Sequence, residues 1–392
     1  MIARLWFIVK NFFAAVARKL KLKVILKVVG ILLCILILIT LVSYASIKVG
    51  CNTTLSEEAL RETHISESDA AQEIKNQLPQ YYRDEESTYL TFPEWYIVYS
   101  AHEYASVLET PHPSSFPYFR ATAQFWCNYD AVNKITKQYG FNGDRQLMLS
   151  VIGVSFSGEN IIKGIYENTV GRVSELLAFG HRTDEDIYAQ KVADDYANFL
   201  HTIPWYEYPF SAKLKGLWTE TSLFGPGFIR KAERKFILSL EYGVKAVYGG
   251  LLNKATRAIY EPAPESIFLE AQYVPQDIST LEPEVKIADT LDASRVILEL
   301  PRYEAFTEVM KSLAHRGIQF TDIAGNDDIF FTVIAPEAWE FNRTDSYKLI
   351  EQPILTAKGF KRVGIRVPVP VISAVINDLE GQGVIIEHLY DY

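Results

Sequence analysis

The side chains that could do chemistry are scattered along this chain, and none falls into a strong signature. No GxxxxGK[ST], strand-borne GxGxxG, HExxH, CxxC or GxSxG occurs. Phosphate-cradle, dinucleotide, zinc-protease, dithiol and serine-hydrolase chemistries therefore have no motif to stand on, and no catalytic residue, metal or cofactor is assigned. Three weaker constellations remain. Glu94, His102 and Glu103 share one helical segment, where an imidazole beside a carboxylate suits a general base or a ligand pair. Glu94 and His102 are eight residues apart, about 80° around a helix, so they do not converge tightly, and a structural histidine is the plainer reading.

The second constellation is a stripe at helical spacing: Asn160, Gly164, Asn168, Gly171 and Glu175. Its two glycines remove side chains where something comes close. That is either a ligand such as a lipid headgroup, read by Asn160, Asn168 and Glu175 with Arg172 at the edge, or a crossing helix, the reading small residues favour. Glu159, Lys163 and Glu167 form an i, i+4 charge ladder, expected on a solvated face, with Glu159 and Glu167 as further candidate polar groups. The third is IPWYEYPFSAKLKGLW, 203 to 218, where Trp205, Tyr206, Tyr208 and Trp218 with two lysines suit a membrane interface or an aromatic core. Downstream, RKAERK at 230 to 235 is a basic cluster fit for an anionic lipid, an acidic partner or a charged helix face.

The elements that must position these groups read as two blocks. From 91 to 262 the apolar spacing is helical: Phe92 to Leu108, Ser157 (as N-cap) to Gly180, Asp184 to Leu200, and about Pro226 to Tyr260. The run LMLSVIGVSF suits strand or helix equally. Residues 263 to 293 read as a linker with one possible strand, Ile267 to Tyr273. From 294 to 392 a strand, Pro, helix, Gly, strand unit occurs twice, at 295 to 323 and 362 to 389, with Val296, Leu298 and Leu300 answering Val363, Ile365 and Val367. This duplication predicts a ferredoxin-like α+β sandwich, one antiparallel sheet covered by two helices. IFFTVIA at 329 to 335 is an additional strand and 336 to 361 an insertion. Arg295, Glu299, Arg362 and Arg366 should lie on the sheet face away from the helices, as a protein-docking face or a buried one.

Composition places the whole. With 39 basic and 48 acidic residues the net charge is −9, which argues against a nucleic-acid partner. The charge is split: residues 1 to 48 hold eight Lys or Arg and no acid. Val28 to Ile47 is twenty residues without a charge, about 30 Å as a helix, the thickness of a bilayer core. The chain thus reads as a basic segment (1 to 27), one transmembrane signal-anchor helix (28 to 47), a polar stalk (48 to 90) with a helix from Glu67 to Leu78 stopped by Pro79, a helical domain and the α+β domain. Arg18, Lys19, Lys21, Lys23 and Lys27 put the N-terminus in the cytoplasm and residues 48 to 392 outside it. Cys34 lies in the apolar segment, leaving Cys51 and Cys127 as the possible pair in an oxidising compartment. The expected function is a single-pass envelope protein that interacts with or assembles another membrane or envelope protein, with membrane lipid as a second partner. The alternative is a lipid-binding protein or lipid-modifying enzyme with the Glu/His groups above.

Overall fold

A computed structural model describes residues 27, 51–60, 79, 81–110, 112–259 and 265–391. The basic segment, the apolar segment 28 to 47 and an expected helix from Glu67 to Leu78 lie outside them, Lys27 apart. Among the described residues no helix is long and apolar enough to cross a membrane. What they form is a helical region plus antiparallel sheets, divided into two compact units that interleave along the chain. One holds 98–122 and 151–263, the other 50–97, 123–150 and 264–392.

The helices before the sheets are α1 (Ser87–Leu90), α2 (Phe92–Val107), α3 (Tyr118–Ile135), α4 (Gly143–Tyr166), α5 (Arg172–Leu177), α6 (Asp184–Phe199), α7 (Phe210–Thr219) and α8 (Phe228–Ile259). The ambiguous run LMLSVIGVSF is helical, inside α4. Ser157, expected to cap a helix, sits mid-helix, where its buried hydroxyl donates to the Gly153 carbonyl at 2.7 Å and so satisfies itself locally. A π turn, Glu167–Gly171, joins α4 to α5. Thr183 caps α6 in a reciprocal box with Asp186. α8 runs unbroken through Gly249 and Gly250. In this helical unit α6, α7 and α8 share an apolar core that includes Tyr188, Val192, Phe210, Leu217, Leu238 and Tyr242.

In the other unit the expected single sheet is two. Strands β2 (Ser266–Gln272), β3 (Lys286–Thr290), β4 (Arg295–Pro301) and β5 (Gln319–Ile323) make one antiparallel sheet in the order β3-β4-β2-β5, with helix α9 (Ile278–Leu281) between β2 and β3. Strands β6 (Asp328–Pro336), β7 (Tyr347–Pro353), β8 (Phe360–Pro368) and β9 (Ile385–Leu389) make the other in the order β7-β8-β6-β9, with β1 (Thr54–Leu55) added outside β7. Helices α10 (Glu304–His315) and α11 (Ile372–Gly381) each connect the last two strands of their sheet. The duplication therefore spans four strands and a helix in each half, longer than the repeated unit legible in the sequence. The strand expected at 267 to 273 and the one at 329 to 335 are the first members of the two halves. The 336 to 361 insertion contains β7, which answers β3.

Even the irregularities recur. The β2/β5 ladder shifts register between Glu270 and Ala271, and the β6/β9 ladder between Thr332 and Val333. The β3/β4 ladder shifts between Ile287 and Asp289, and β7/β8 between Lys348 and Ile350. One apolar core takes residues from both halves, among them Leu298, Phe306, Met310, Ile365, Ile376 and Leu379.

Residues 48 to 90, expected as a free stalk, are in part built into this unit. Cys51 is disulfide-bonded to Cys127 of α3, with the Cα atoms 5.5 Å apart. The Thr53 hydroxyl lies 3.2 Å from the Asn128 side-chain oxygen, and β1 pairs with β7. The Tyr81 hydroxyl donates to Asp322 at 2.8 Å, and the Thr88 hydroxyl donates to the Tyr390 carbonyl at 2.8 Å. A polar composition reads as a tether, but here its hydroxyls satisfy strand ends and buried carboxylates.

Candidate functional site

The candidate site is built where α4 and α5 run antiparallel to α8. Each α4/α5 residue that faces α8 meets a partner earlier along α8 the later it comes itself. Glu159 lies 2.7 Å from Lys245, Lys163 2.7 Å from Glu241, and Glu167 3.0 Å from Arg234. Farther along, the Ser174 hydroxyl donates to Glu233 at 2.6 Å. Arg234 holds Glu167 with two parallel bonds of 3.0 Å and Glu233 with bonds of 2.8 and 2.6 Å. Arg230 reaches Asp186 at 2.8 Å and Glu233 at 3.2 Å. Lys231 pairs with Asp184 and Glu185 at 3.0 and 3.1 Å.

This places the RKAERK cluster inside. The side chains of Arg230, Lys231, Arg234 and Lys235 are 1–4% exposed, matched by Asp184, Glu185 and Asp186 of α6 and by Glu167 and Glu233. The Glu159, Lys163, Glu167 ladder is likewise not an open solvated face: Lys245, Glu241 and Arg234 of α8 pair with it, leaving Glu167 6% and Lys163 19% exposed, while Glu159 at its end keeps 39%. Such interior charges persist only if their partners and hydrogen bonds offset desolvation. At Glu159 and Glu241 burial pushes the carboxyls up, and Lys163 and Lys245 overcome it and hold both below the usual carboxylate range. Burial works against the Arg234 cation, yet Glu167 and Glu233 keep it above its ordinary value. At Glu167 burial pushes the carboxyl up and Arg234 opposes it. The bidentate geometry, with a guanidinium that does not deprotonate, keeps that pair ionised.

Of the stripe from Asn160 to Glu175, all but Asn168 faces inward, as a helix crossing requires. A Cβ on Gly164 would stand 2.9 Å from that of Tyr118, at the start of α3, and one on Gly171 would collide with the Glu167 carboxylate. Asn160 and Glu175 are buried. Glu175 accepts from the Ser114 backbone at 2.9 Å and its hydroxyl at 2.6 Å, with Arg172 at 3.1 Å. Asn168 is exposed and donates to the Gly164 carbonyl at 2.7 Å, at the π turn that widens the helix there. Arg172 is about half exposed.

The His and Glu candidates fall elsewhere. The His102 ring faces His201, Nε2 to Nε2, at 2.6 Å. One nitrogen must carry the proton and the other accept it. Glu103 is half-buried on the same helix. Glu94, in the sheet-bearing unit, stands 3.7 Å from Arg145, and burial pushes its carboxyl up. Among the described residues no three His, Cys, Asp or Glu gather for a metal, so the histidine pair falls short of the three protein ligands of a catalytic zinc. Of the aromatic segment, Trp218 is exposed, Trp205 and Tyr206 are half-buried, and Tyr208 is buried in the α6–α8 core with its hydroxyl donating to Asp195 at 2.6 Å. On the sheets, Arg362 is buried and forked onto Glu387 at 2.6 and 2.7 Å, Arg366 is buried near Asp328, and Arg295 stays partly exposed beside Asp292.

What sequence reasoning missed is the acid half of the network, Asp184, Glu185, Asp186, Glu233 and Glu241. The available signal was that Glu159, Lys163 and Glu167 on one helix are answered in reverse order by Lys245, Glu241 and Arg234 on another, opposite in sign at each step and at helical spacings. The chain matches no protein-family model, no curated protein and no solved structure.

Proposed function

We propose that this chain is a single-pass membrane-anchored envelope protein, its N-terminus cytoplasmic and residues 48 to 392 outside the cytoplasm, that acts as an interaction or assembly component of a membrane complex. The observation that carries the reading is an inversion of polarity in the helical unit. Its acids and bases are paired inward, while large aliphatic side chains such as Ile162 and Val247, each 68% exposed, face out. Charges tied to one another serve shape, and an apolar surface of that kind has to be covered. The Cys51–Cys127 disulfide supports an oxidising compartment. In the C-terminal half, two helix-linked strand pairs, each split by a third strand, support the ferredoxin-like reading. The test is mass spectrometry of the protein purified from its native membrane in mild detergent. A stoichiometric protein partner is expected. Enriched lipid or metal without one would sink the assembly reading and favour the second, a lipid-binding protein or lipid-modifying enzyme, to which the facing His102 and His201 rings would then belong.

A further inference from the structure

The exposed apolar residues of the helical unit are ordered. On α4 and α5, Val151, Ile162, Val173 and Leu176 are exposed. With Ile165, also exposed, and the small or weakly polar Ser155, Gly158 and Thr169 they repeat every three or four residues, along the side opposite the buried Ser157, Asn160, Gly164 and Gly171. On α8, Ile229, Phe236, Leu240, Val247 and Leu251 are exposed at the same kind of spacing, opposite the buried Leu238 and Tyr242. Phe236 and Leu176 are each 65% exposed. The two helical stretches are antiparallel neighbours, fixed by the Glu159–Lys245, Lys163–Glu241 and Glu167–Arg234 pairs, and they bury a common side. Their outward stripes must then share the opposite side. The result is one face, two helices wide, with no exposed charged side chain on the α8 stripe between Ile229 and Leu251, a length of about 33 Å, because Glu233, which falls at that spacing, is 9% exposed and turned to Ser174 and Arg234.

Resting on the anchored reading above, we infer that this face lies on the hydrocarbon of the bilayer, so that the helical unit is itself a membrane-seated element beyond the anchor. The tether argues for lipid. From Ile47, the end of the uncharged segment, to Cys51, which the disulfide fixes to α3, the chain advances four residues, at most about 14 Å. Tyr118–Thr122 of that same helix α3 belong to the helical unit, so the chain of this unit starts close to the anchor's end and can reach the membrane before any other apolar phase. Composition argues the same way. The two stripes themselves are aliphatic and phenylalanine, and the Tyr and Arg that enrich the cores of protein interfaces stand only at their margins, as Tyr248 and Arg172. At its flank Trp218 is 54% exposed with its indole N–H donating to Ser239 at 2.9 Å, an amphipathic ring suited to headgroup depth.

The test is site-directed spin labelling of the full chain in vesicles of phosphatidylcholine and phosphatidylglycerol. Ile162→Cys, Phe236→Cys and Val247→Cys are labelled on a Cys34→Ser background with the disulfide intact, and Lys191→Cys, exposed on α6, is the control. At the three face positions collision with oxygen should exceed collision with a water-soluble nickel chelate severalfold, and the order should reverse at Lys191. A face label that the nickel chelate reaches freely would overturn the inference. So would one shielded from both reagents, which would mean that protein covers the face, whether a second copy or residues 28 to 47. Alkaline carbonate washing of the same vesicles separates the two claims. Release of the chain defeats the anchored reading itself, whereas retention with a wet or protein-covered face defeats this inference alone.

Discussion

Replacing Glu167 by Ala probes whether the charged interior of the helical unit is a load-sharing framework or an accident of packing. The substitution removes both 3.0 Å bonds to Arg234 and leaves a guanidinium whose side chain is 2% exposed. Stripping one partner from a buried ion pair costs about 3–5 kcal/mol. Arg234 keeps its two bonds to Glu233, so the expected loss is at the low end, about 3 kcal/mol. Arg234→Leu strands Glu167 and removes two of the five hydrogen bonds to Glu233 together, and should cost more, about 5 kcal/mol. Combining Glu167→Leu with Arg234→Leu should recover about 2 kcal/mol relative to the sum of the single changes, because neither leaves the other's charge unpaired. The assay is urea unfolding of the full chain in detergent, read by the fluorescence of Trp205 and Trp218, which belong to the same unit. A midpoint shift at unchanged slope reports stability. A loss below about 1 kcal/mol for Glu167→Ala, the size found for exposed ion pairs, would refute the reasoning.

Two further outcomes follow from single contacts. The Cys51–Cys127 bridge closes a loop of 76 residues, so Cys51→Ser with Cys127→Ser should lower stability by about 4 kcal/mol in the chain-entropy account, and a reducing agent should abolish the mobility difference between the oxidised and reduced chain on a gel. Burial, then Asp328, Asp327 and Glu86, push the Glu85 carboxyl from 4.5 up to about 8 against the pull of Arg366. The folded state therefore keeps a proton that the unfolded chain releases. Stability should fall as pH rises between about 4.5 and 8, and Glu85→Gln should flatten that part of a pH series of unfolding midpoints.

Legibility differed between the two units for a physical reason. Strands β4, β5 and β9 and helices α10 and α11 each bury one side, and in β8, buried on both, Arg362, Gly364 and Arg366 still alternate with Val363, Ile365 and Val367, so alternation and helical stripes expose them, and Gly317 and Gly383 end the helices at positive φ as expected. Strand β3 was hidden because all five of its residues are exposed, which erases any alternation. Central strand β6 reads as a continuous apolar run because both its faces are covered, which signals a strand without revealing its neighbours. In the helical unit the usual rule that apolar positions point inward fails. Ile162, Ile165, Val173, Leu176 and Leu177, which follow helical spacing and read as a core face, are all exposed, while the charged positions beside them are interior. A single helix shows periodicity but not which side is covered, and only the pairing of two helices shows that the charges meet. The glycines at 164 and 171 did carry their message, since both mark close approach.

The duplicated register shifts bear on ancestry. A bulge at 270/271 answered by one at 332/333, and a second at 287/289 answered by one at 348/350, are two coincidences if each half acquired them alone. They are one inheritance if a half-length precursor already carried both before its gene was doubled. That precursor could not have been content as a monomer. The packing of α10 with α11 in one core means that a lone half would have left its helix and the adjoining strands facing water. On that account covalent joining of the halves would replace an encounter of two chains and leave each copy to change separately; in the present molecule β1 caps β7 while β3 is an outer edge.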